Sequence, residues 1–466
     1  MIAATRRALL LATILVVGLT AAAQADLLRY QAAIRSQANG AANFRSVVAL
    51  PAPDTANPAR AFAGGSFSER FQMGIDPTVA VRSLNARDGV LVGFTRIPET
   101  KNWAVDWALS VGCEDGDALI HDVAIRPRPN QFLLAGGTFE GKATFERRDL
   151  PTVELIAPPG GENRRASFIA LADPESGEWI DAFLIPGMEL RSMDVDDRGE
   201  IFVTGPGSLA RRYSEDFQQV WDIRPPNGTS SLDHIAVSSD RENPFVYVQG
   251  TFSRQGNDLD VFVVQINKGS GDVLWNTQVN SEGGHGERAG GIGIGPLGNL
   301  RVAVSSDGAD LSVANTPIRN KPDPDTDARH GHLLFLNARD GKLLNDQILG
   351  RAIVRGGVLE TQNLDIDYAG NTYVSVNFTG SYQFKGLEHP GQEDAAVVVV
   401  DARGTPMRFI DSGGSAGAIG LDVAVVNRDL QVLVGTVTGT TAESFGGNQL
   451  QPSAVNKAFI AVLDAP

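Results

Sequence analysis

Cysteine is almost absent from this sequence, and its absence excludes several kinds of site. The chain has 466 residues and one cysteine, Cys113. It can therefore form no internal disulfide and no C-x-x-C redox or zinc motif. We expect Cys113 to pack as a small apolar residue and stability to come from a large hydrophobic core.

Long hydrophobic runs are missing beyond the N-terminus. Residues 1–25 have the form of a secretory signal peptide: Arg6 and Arg7 precede an apolar run from Ala8 to Leu19, and small residues lead up to Ala25. We expect cleavage after Ala25, with an uncleaved anchor as the alternative. No later run approaches the about 20 apolar residues that a membrane-spanning helix needs. The sequence thus predicts an exported chain, periplasmic or extracellular, without membrane insertion.

Positive charge is in deficit. The formal net charge is −15, and loss of Arg6 and Arg7 with the signal peptide (−15 minus 2) makes it −17. Such a surface repels phosphate backbones and anionic lipid head groups. We therefore expect no nucleic-acid partner.

What the sequence does contain is a repeated pattern of short apolar runs and turns. In residues 364–410, four runs rich in β-branched residues are separated by turn residues, which is typical of antiparallel strands. The first two runs recur along the chain, with equivalent residues at Gly65, Gly137, Gly205, Gly250, Val304, Val376 and Gly435. Four strands in each of seven units predict an all-β fold, a β-propeller of about seven four-stranded antiparallel blades in residues 43–466.

The second half of each unit repeats independently of the first. The turn sequence LNARDG at residues 84–89 recurs unchanged at residues 336–341, and aromatic residues follow these turns in five units: Trp107, Trp179, Trp221, Trp275 and Phe409. We expect these rings to fill the wedges between neighbouring blades.

The last unit stops where its fourth strand would begin, at Asp464. An open ring would leave an unpaired strand edge there. Residues 26–42 are therefore either a linker or a segment that closes the ring by supplying the missing strand.

The sixth unit carries a motif of spaced aspartate, glycine and aromatic residues: Asp365, Gly370, Asn371, Tyr373, Val374, Phe378, Gly380, Leu387, Asp394, Ala395 and Asp401. This motif resembles the bacterial secreted β-propeller repeat family, and the resemblance extends over the chain from Phe44 onward. The turn with its following tryptophan is also similar to the PQQ-type repeats of quinoprotein propellers. The segment Phe384-Lys385-Gly386-Leu387 departs from the family pattern by lacking its usual spacer. The resemblance implies a binding or scaffold role outside the cell and assigns no catalytic residue.

The connections between the second and third strands are long in four units, at residues 140–165, 306–329, 381–393 and 438–457. In a propeller these connections gather on one face. Long loops without structure of their own usually carry function or are disordered. We predict that this long-loop face is the binding surface.

One of these loops contains three alternating carboxylates, Asp323, Asp325 and Asp327, followed by His330 and His332. Alternating carboxylates suit Ca²⁺. However, Ala328 and Leu334 replace the glycine and the distal glutamate of a calcium loop. A solvated acidic loop is therefore the favoured interpretation, with calcium and a histidine-ligated transition metal as alternatives.

Four aspartates and one histidine lie on the innermost strands: Asp122, Asp194, His234, Asp365 and Asp422. They could form a ring around a central channel that binds a cation or a polar ligand. The favoured interpretation is that each one bonds backbone amides where the chain enters a new blade.

Taken together, these patterns predict an exported, non-catalytic β-propeller. We expect it to bind an unidentified protein or polysaccharide through the long-loop face, without a cofactor other than possible calcium. The alternatives are a propeller enzyme, a hydrolase or cofactor-dependent oxidoreductase with an acidic site at the channel mouth, and a scaffold subunit. A quinone enzyme of the alcohol-dehydrogenase type would want adjacent cysteines, and fold alone assigns no activity. Converging carboxylates with perturbed pKa values would favour an enzyme.

Overall fold

Short apolar runs and glycine-rich turns build a molecule made of strands. The computed structural model describes residues 29–464 except 38–39, 52–57, 74–78, 99, 101, 128–130, 159–164, 226–228, 239–243, 254–258, 282–285, 309, 322–327, 354, 386, 415–416, 428, 439–442, 446–447, 451–452 and 454. Regular structure in these residues is entirely β-strand. None of them forms a helix that could cross a membrane.

The strands of the first third are β1 (Arg29–Arg35), β2 (Ala42–Leu50), β3 (Arg60–Phe67), β4 (Arg70–Gln72), β5 (Ala80–Arg82), β6 (Asp88–Arg96), β7 (Trp103–Cys113), β8 (Ala118–Ile125), β9 (Leu133–Glu140), β10 (Lys142–Phe145), β11 (Val153–Ile156), β12 (Arg165–Ala172) and β13 (Trp179–Ile185). Those of the middle are β14 (Ser192–Val195), β15 (Ile201–Gly205), β16 (Ser208–Tyr213), β17 (Gln219–Ile223), β18 (Thr229–Val237), β19 (Phe245–Ser253), β20 (Leu259–Asn267), β21 (Val273–Asn280), β22 (Glu287–Ile294), β23 (Leu300–Ser306), β24 (Ser312–Val313) and β25 (Thr316–Pro317). Those of the last third are β26 (His330–Leu336), β27 (Leu343–Ile348), β28 (Arg351–Ala352), β29 (Val358–Ile366), β30 (Thr372–Phe384), β31 (Leu387–Val400), β32 (Pro406–Asp411), β33 (Gly413–Gly414), β34 (Gly417–Asn427), β35 (Leu430–Thr438), β36 (Glu443–Phe445), β37 (Asn448–Leu450) and β38 (Lys457–Asp464).

Seven antiparallel sheets form the blades of a β-propeller. From the inside outward, they are β2-β3-β6-β7, β8-β9-β12-β13, β14-β15-β16-β17, β18-β19-β20-β21, β22-β23-β26-β27, β29-β30-β31-β32 and β34-β35-β38-β1. This confirms the predicted fold class and the four strands of each blade. The blades are numbered 1 to 7 in that order below.

The ring closes through the N-terminal segment. Strand β1 pairs antiparallel with β38, with Ile34 opposite Ile460 and Arg35 opposite Phe459. Strand β1 is therefore the outermost strand of blade 7, whose other three strands come from the C-terminal end of the chain. The pairing covers the strand edge that the C-terminal end leaves open.

A glycine on the second strand marks a bulge in the innermost strand. In blade 7, Gly435 pairs with Gly420 immediately before a register shift to Asp422. A Cβ on Gly435 would lie 1.9 Å from the carbonyl oxygen of Ile419, so no side chain fits there. Similar close approaches occur at Gly65, Gly137, Gly205 and Gly250. The repeated glycines of the sequence thus allow the innermost strand to bend at a β-bulge.

The core is divided among the wedges between blades. Each of the seven junctions holds its own hydrophobic cluster, and the junction of blades 7 and 1 includes Phe44, Phe94 and Ile460. Cys113 is fully buried in the cluster between blades 1 and 2, as the sequence predicts. Burial distributed in this way holds adjacent blades together over the whole ring.

The outer-strand aromatic residues divide into two groups. The indole N–H groups of Trp107, Trp221 and Trp275 donate to turn carbonyls of the next blade, at 3.4, 2.9 and 3.1 Å. Trp179 and Phe409 are not equivalent to these three. Trp179 lies before the bulge of β13 and donates to Ser110 of the preceding blade, while Phe409 packs against phenylalanines of its own blade. All five rings pack in the clusters between neighbouring blades, as the sequence predicts, but bulges shift the side-chain alternation, so Trp179 and Phe409 are oriented differently from the other three.

The long connections have structure of their own, contrary to the expectation of unstructured loops. In blade 2 the connection forms the β10–β11 hairpin, which pairs with β7, the outer strand of blade 1. The connection of blade 5 forms β24–β25, which pairs with β21 of blade 4, and that of blade 7 forms β36–β37, which pairs with β33. In blade 6, β30 and β31 extend past the blade and pair with β28. A fifth connection, in blade 1, forms β4–β5 and reaches Ser36 through Met73.

We call these five insertions the clasps, because each one reaches back to the edge of the preceding blade or to the chain that follows that blade. Aromatic residues of the clasps are buried there, including Phe71, Phe145, Tyr382 and Phe445. In the described parts of the long connections, backbone groups are thus used in sheets and aromatic side chains are buried.

Candidate functional site: the central channel

The innermost strands of all seven blades line a central cavity of about 540 Å³. These strands begin on the long-loop face, and in blades 3, 5 and 6 they end at tight turns on the opposite face, which we call the short-turn face. Three levels of residues follow one another along each strand. The level at the long-loop end is called the mouth ring. Its members are the bulge residues Arg45, His121, Asp233, Gly291, Gln362 and Leu421, together with Arg191, which directly precedes β14.

The next residue of each strand forms the middle ring: Ser46, Asp122, Ser192, His234, Ile292, Asn363 and Asp422. Asp194 and Asp365 lie two residues further along their strands and line the same cavity nearer the short-turn face. The five residues predicted as one ring therefore occupy two levels. The prediction of equivalent positions was wrong because Ser192 and Asn363 take the middle-ring position in blades 3 and 6.

Asp122 joins three blades through hydrogen bonds. One carboxylate oxygen accepts from the Ser46 hydroxyl at 2.7 Å and from its own neighbour, Val123 N–H, at 2.8 Å. The other oxygen accepts from the Ser192 hydroxyl at 2.9 Å and from Met193 N–H at 2.7 Å. Asp122 therefore links blade 2 to blades 1 and 3.

Asp422 does the same where the ring closes. Its Oδ2 accepts from Val47 N–H of blade 1 at 2.7 Å. Its Oδ1 accepts from Val423 N–H at 2.8 Å and from the Asn363 amide of blade 6 at 2.6 Å. Asp422 thus links blade 7 to both of its neighbours.

Asp194 and Asp365 each make one link. Asp194 accepts from Val237 N–H of blade 4 at 2.7 Å, and Asp365 accepts from Val425 N–H of blade 7 at 2.8 Å. Uncharged side chains bridge the two remaining junctions. Gln249 bonds Gly291 N–H at 3.1 Å and the Ala303 carbonyl at 2.8 Å, while the Ser305 hydroxyl accepts from Thr361 N–H at 2.8 Å. Every blade junction therefore has a polar bridge near the channel.

Burial raises the pKa values of these carboxyl groups. It raises the pKa of Asp422 to about 8, of Asp194 to about 7 and of Asp365 to about 6, from an ordinary 3.8. The negative charge of Asp122 raises the pKa further for both Asp422 and Asp194, because these groups face one cavity. Backbone N–H donors act in the opposite direction, but burial dominates.

The histidine of the middle ring differs from the aspartates. His234 lines the cavity, and burial lowers the pKa of its imidazole. The neutral ring can therefore accept or donate a hydrogen bond toward the cavity without adding charge.

The structure does not test the predicted calcium ligands. Asp323, Asp325 and Asp327 lie outside the described residues. His330 and His332 lie on β26 and are buried, at 2 % and 0 % exposure, with the His332 pKa lowered to about 3 by burial. In the part of the chain that the structure describes, no three histidine, cysteine, aspartate or glutamate side chains are arranged to hold a metal ion.

Sequence reasoning missed a cationic cluster in the mouth ring. Arg45 of blade 1 and His121 of blade 2 are bulge residues, and Arg191 directly precedes β14 of blade 3. Arg45 Nη1 lies 3.5 Å from His121 Nδ1. Burial and then the charge of Arg45 lower the His121 pKa to about 3. The sequence does contain a signal for these residues, because a basic residue directly precedes the middle-ring residue in blades 1 to 3. The pairs are Arg45-Ser46, His121-Asp122 and Arg191-Ser192.

A second feature also escaped the sequence analysis: residues 413–417 spell G-x-S-x-G. In hydrolases this motif joins a strand to a helix. Here it comprises β33 and the first residue of β34, and its serine falls outside the described residues. The strand that follows it differs from a nucleophile elbow.

Comparison with known proteins adds no assignment: no protein-family model matches this chain, and none of the curated proteins compared with it matches either.

Proposed function

We propose that this protein is an exported, non-catalytic β-propeller that binds a protein or polysaccharide partner through its long-loop face. The observation that carries the proposal is the asymmetry between the two faces. Five blades carry clasps on the long-loop face, whereas on the short-turn face blades 3, 5 and 6 have tight turns, at Asp196–Glu200, Gly295–Asn299 and Asp367–Asn371. Ordered insertions on one face of a rigid scaffold provide a binding surface with little entropy left to lose.

Apolar side chains at the clasps support this surface. Ile156 and Leu387 are 68 % and 67 % exposed, although aromatic residues of the same clasps, Phe145 and Tyr382, are buried. Exposed apolar side chains on ordered hairpins are available for contact with a partner.

The engagement of the channel carboxylates supports a non-catalytic role. Each oxygen of Asp122, Asp194, Asp365 and Asp422 accepts at least one hydrogen bond, and all four residues join blades. A general acid or base must instead exchange its proton with a substrate.

A propeller enzyme, a hydrolase or cofactor-dependent oxidoreductase, is the second candidate, and one observation favours it. The raised pKa values of Asp194 and Asp365, about 7 and 6, suit acid–base chemistry near neutral pH, and both residues line the cavity. Loss of a hydrolytic or redox activity in Asp194→Asn and Asp365→Asn, in a folded protein, would support that candidate.

A capture experiment from the cell envelope tests the proposed function. The chain from Asp26 onward, which the predicted signal cleavage would give and which we call the mature protein, is compared with a double variant in which Ile156 and Leu387 become serine. The control replaces two exposed leucines elsewhere, Leu274 and Leu344, in the same way. We expect the control to capture the same partner as the mature protein and the clasp variant to capture much less. Equal capture by all three proteins would contradict binding through the long-loop face.

A further inference from the structure

A groove opens between blades 4 and 5 on the short-turn face, away from the clasps. Its volume is about 430 Å³, and its lining includes Phe245, Trp275, Leu297, Asn299 and Arg339. The first two belong to blade 4, the next two to the turn between β22 and β23, and the arginine to the turn between β26 and β27. Both turns lie at the short-turn ends of blade 5 strands, so the groove is separate from the clasp surface.

The corresponding wedge between blades 3 and 4 is filled by an ion pair. Arg212 lies opposite Trp221 and pairs with Glu200. It also donates to the Lys268 carbonyl of blade 4 at 2.8 Å. Both charged side chains of the pair are mostly buried. The pair therefore occupies the space between these two blades at their short-turn ends.

Blade 4 lacks such an ion pair at the same two positions. Gln265 takes the position of Arg212, since each lies opposite the outer-strand tryptophan of its blade. Phe245 takes the position of Glu200, since each lies two residues before the second-strand partner of the other residue. Gln265 is buried and donates to the Ala338 carbonyl at 2.8 Å. A glutamine is shorter than an arginine and a phenylalanine does not pair with it, which explains why the wedge stays open as a groove.

The walls of the groove are apolar and open to solvent. The rings of Phe245 and Trp275 are partly exposed, and the fully buried Tyr247 also belongs to the lining. Leu297 is 87 % exposed and directly precedes the glycine of its turn, where blade 3 has the polar Arg198. An exposed leucine beside two partly exposed aromatic rings is a surface on which an apolar side chain can be buried.

The charge at the groove is positive. Arg339 is exposed, and it is the one charged residue among the described residues that line the groove. The other two charged residues of its turn pair with each other, with Lys342 Nζ 3.0 Å from Asp340 Oδ2. An arginine beside apolar walls, in a chain of formal net charge −15, is complementary to an apolar group that carries a carboxylate next to it.

We propose that this groove binds an acidic peptide segment of a partner protein. An apolar side chain of the segment packs between Phe245, Trp275 and Leu297, and the carboxylate of a neighbouring aspartate or glutamate pairs with Arg339. The side-chain amide of Asn299 can both donate to and accept from the peptide backbone. An open groove suits a peptide, which one buried side chain anchors, whereas small molecules bind where most of their surface is enclosed. This site is additional to the clasp surface and lies on the opposite face of the propeller.

The test begins with a randomised octapeptide library displayed on phage and selected against the mature protein. Enriched peptides are synthesised, and calorimetry measures their affinity for each variant. Two variants change exposed side chains of the groove, Arg339→Glu and Leu297→Ser. The matched controls are Arg403→Glu, in the turn between β31 and β32, and Leu344→Ser, on the outer strand of blade 5; both side chains are exposed.

We expect the enriched peptides to carry an aspartate or glutamate beside a large apolar residue. Their affinity should fall at least about tenfold in Arg339→Glu and in Leu297→Ser, through loss of the charged contact and of apolar burial respectively. Both controls should bind like the mature protein. A combined variant, Phe245→Glu with Gln265→Arg, rebuilds the blade 3 ion pair inside the groove and should also lose the peptides.

Several results would overturn the inference. Equal affinities in the groove variants and the controls would place the peptides elsewhere, and enrichment of peptides without acidic residues would exclude the proposed ligand chemistry. Failure to enrich any peptide would do the same, and binding of indole-3-acetate that depends on Arg339 would then assign the groove to small aromatic acids. A dimer of the mature protein that Leu297→Ser abolishes would assign it to a second copy of this chain.

The peptide site and the clasp surface can fail separately. The double variant at Ile156 and Leu387 should bind the peptides like the mature protein. Leu274 also lines the groove, so the double variant at Leu274 and Leu344 should keep the clasp partner while its affinity for the peptides falls.

Discussion

At the scale of single residues, the channel aspartates act as connectors between blades. A carboxylate can accept several hydrogen bonds from different directions, which a hydroxyl or amide does less well. Asp422 uses this capacity where the ring closes, since it accepts from blade 6, from blade 1 and from its own strand. A buried acceptor in this position costs little when all its bonds are made and much when one partner is lost.

Replacing Asp422 with asparagine should weaken the protein. The new amide group would place N–H donors against Val47 N–H or the Asn363 amide, which are themselves donors. At pH 9, above the folded pKa of about 8, where Asp422 is a carboxylate that only accepts, we expect the free energy of unfolding in urea to fall by about 1–3 kcal/mol, the cost of leaving a buried hydrogen-bonding group unsatisfied. The control is Asp429→Asn, an equal charge change at an exposed turn of the same blade. If both variants unfold at the same urea concentration, the connecting role of Asp422 is wrong.

Some of these residues could be predicted from the sequence and others could not. The glycines at 65, 137, 205, 250 and 435 could be aligned because the same close approach of a carbonyl recurs in five blades. The levels of Asp194 and Asp365 in the channel could not be predicted. A bulge inserts one residue, so the spacing along the strand no longer shows which level a side chain occupies. Arg45 was missed because its significance depends on carboxylates and arginines from other blades.

At the scale of strands, the clasps convert long connections into interblade contacts. Phe145 of the blade 2 clasp packs edge-on against Trp179, with ring centroids 5.4 Å apart, while the strand that carries it pairs with blade 1. The four strands of each blade were predictable from local patterns of β-branched residues and turns. The pairing of the clasps was not predictable, because most clasp strands have only two to four residues and show no clear alternation of apolar and polar residues. Their pairing partners also belong to another blade.

Closure of the ring depends on strand β1, because it is the only contribution of the N-terminal segment to blade 7 within the described residues. A chain that begins at Gln37 would leave the β38 edge unpaired. It would also lack Ile34, a partly buried residue that packs against the cluster between blades 7 and 1. We expect its melting temperature to be several degrees below that of the mature protein.

A peptide of residues 26–36 added to the shortened chain should restore part of the lost melting temperature. The control peptide carries proline at both Ala32 and Ala33; adjacent N–H groups point to opposite edges of a strand, so one of the two prolines must remove a bond to β38. An unchanged melt after the deletion, or equal rescue by both peptides, would refute closure through β1.

At the scale of the whole molecule, one cavity collects the carboxyl groups of blades 2, 3, 6 and 7. Asp122, Asp194, Asp365 and Asp422 line this cavity, whereas Arg45 and Arg191 of the mouth ring do not. Because the acidic groups face one cavity, each ionisation makes the next one harder. Their protonation is therefore a property of the ring and should appear in the stability of the entire protein.

This arrangement predicts that the free energy of unfolding falls as the pH rises from 7 to 8.5. A carboxyl group with a pKa near 8 or 7 when folded and near 3.8 when unfolded holds its proton only in the folded state in between. The folded state therefore binds more protons, and raising the pH removes stability until the folded groups have ionised. The buried His121 and His332, with folded pKa values of about 3, oppose this trend only below their ordinary pKa of 6.5, where the unfolded chain takes up protons.

Urea unfolding of the mature protein, Asp422→Asn and Asp429→Asn at pH 7, 7.5, 8 and 8.5 measures the slope. The slope of the unfolding free energy against pH should be negative for the mature protein and for Asp429→Asn, and shallower for Asp422→Asn. A flat or rising dependence in the mature protein would contradict the prediction. It would mean that the channel carboxylates are already ionised at neutral pH and connect the blades as charged groups.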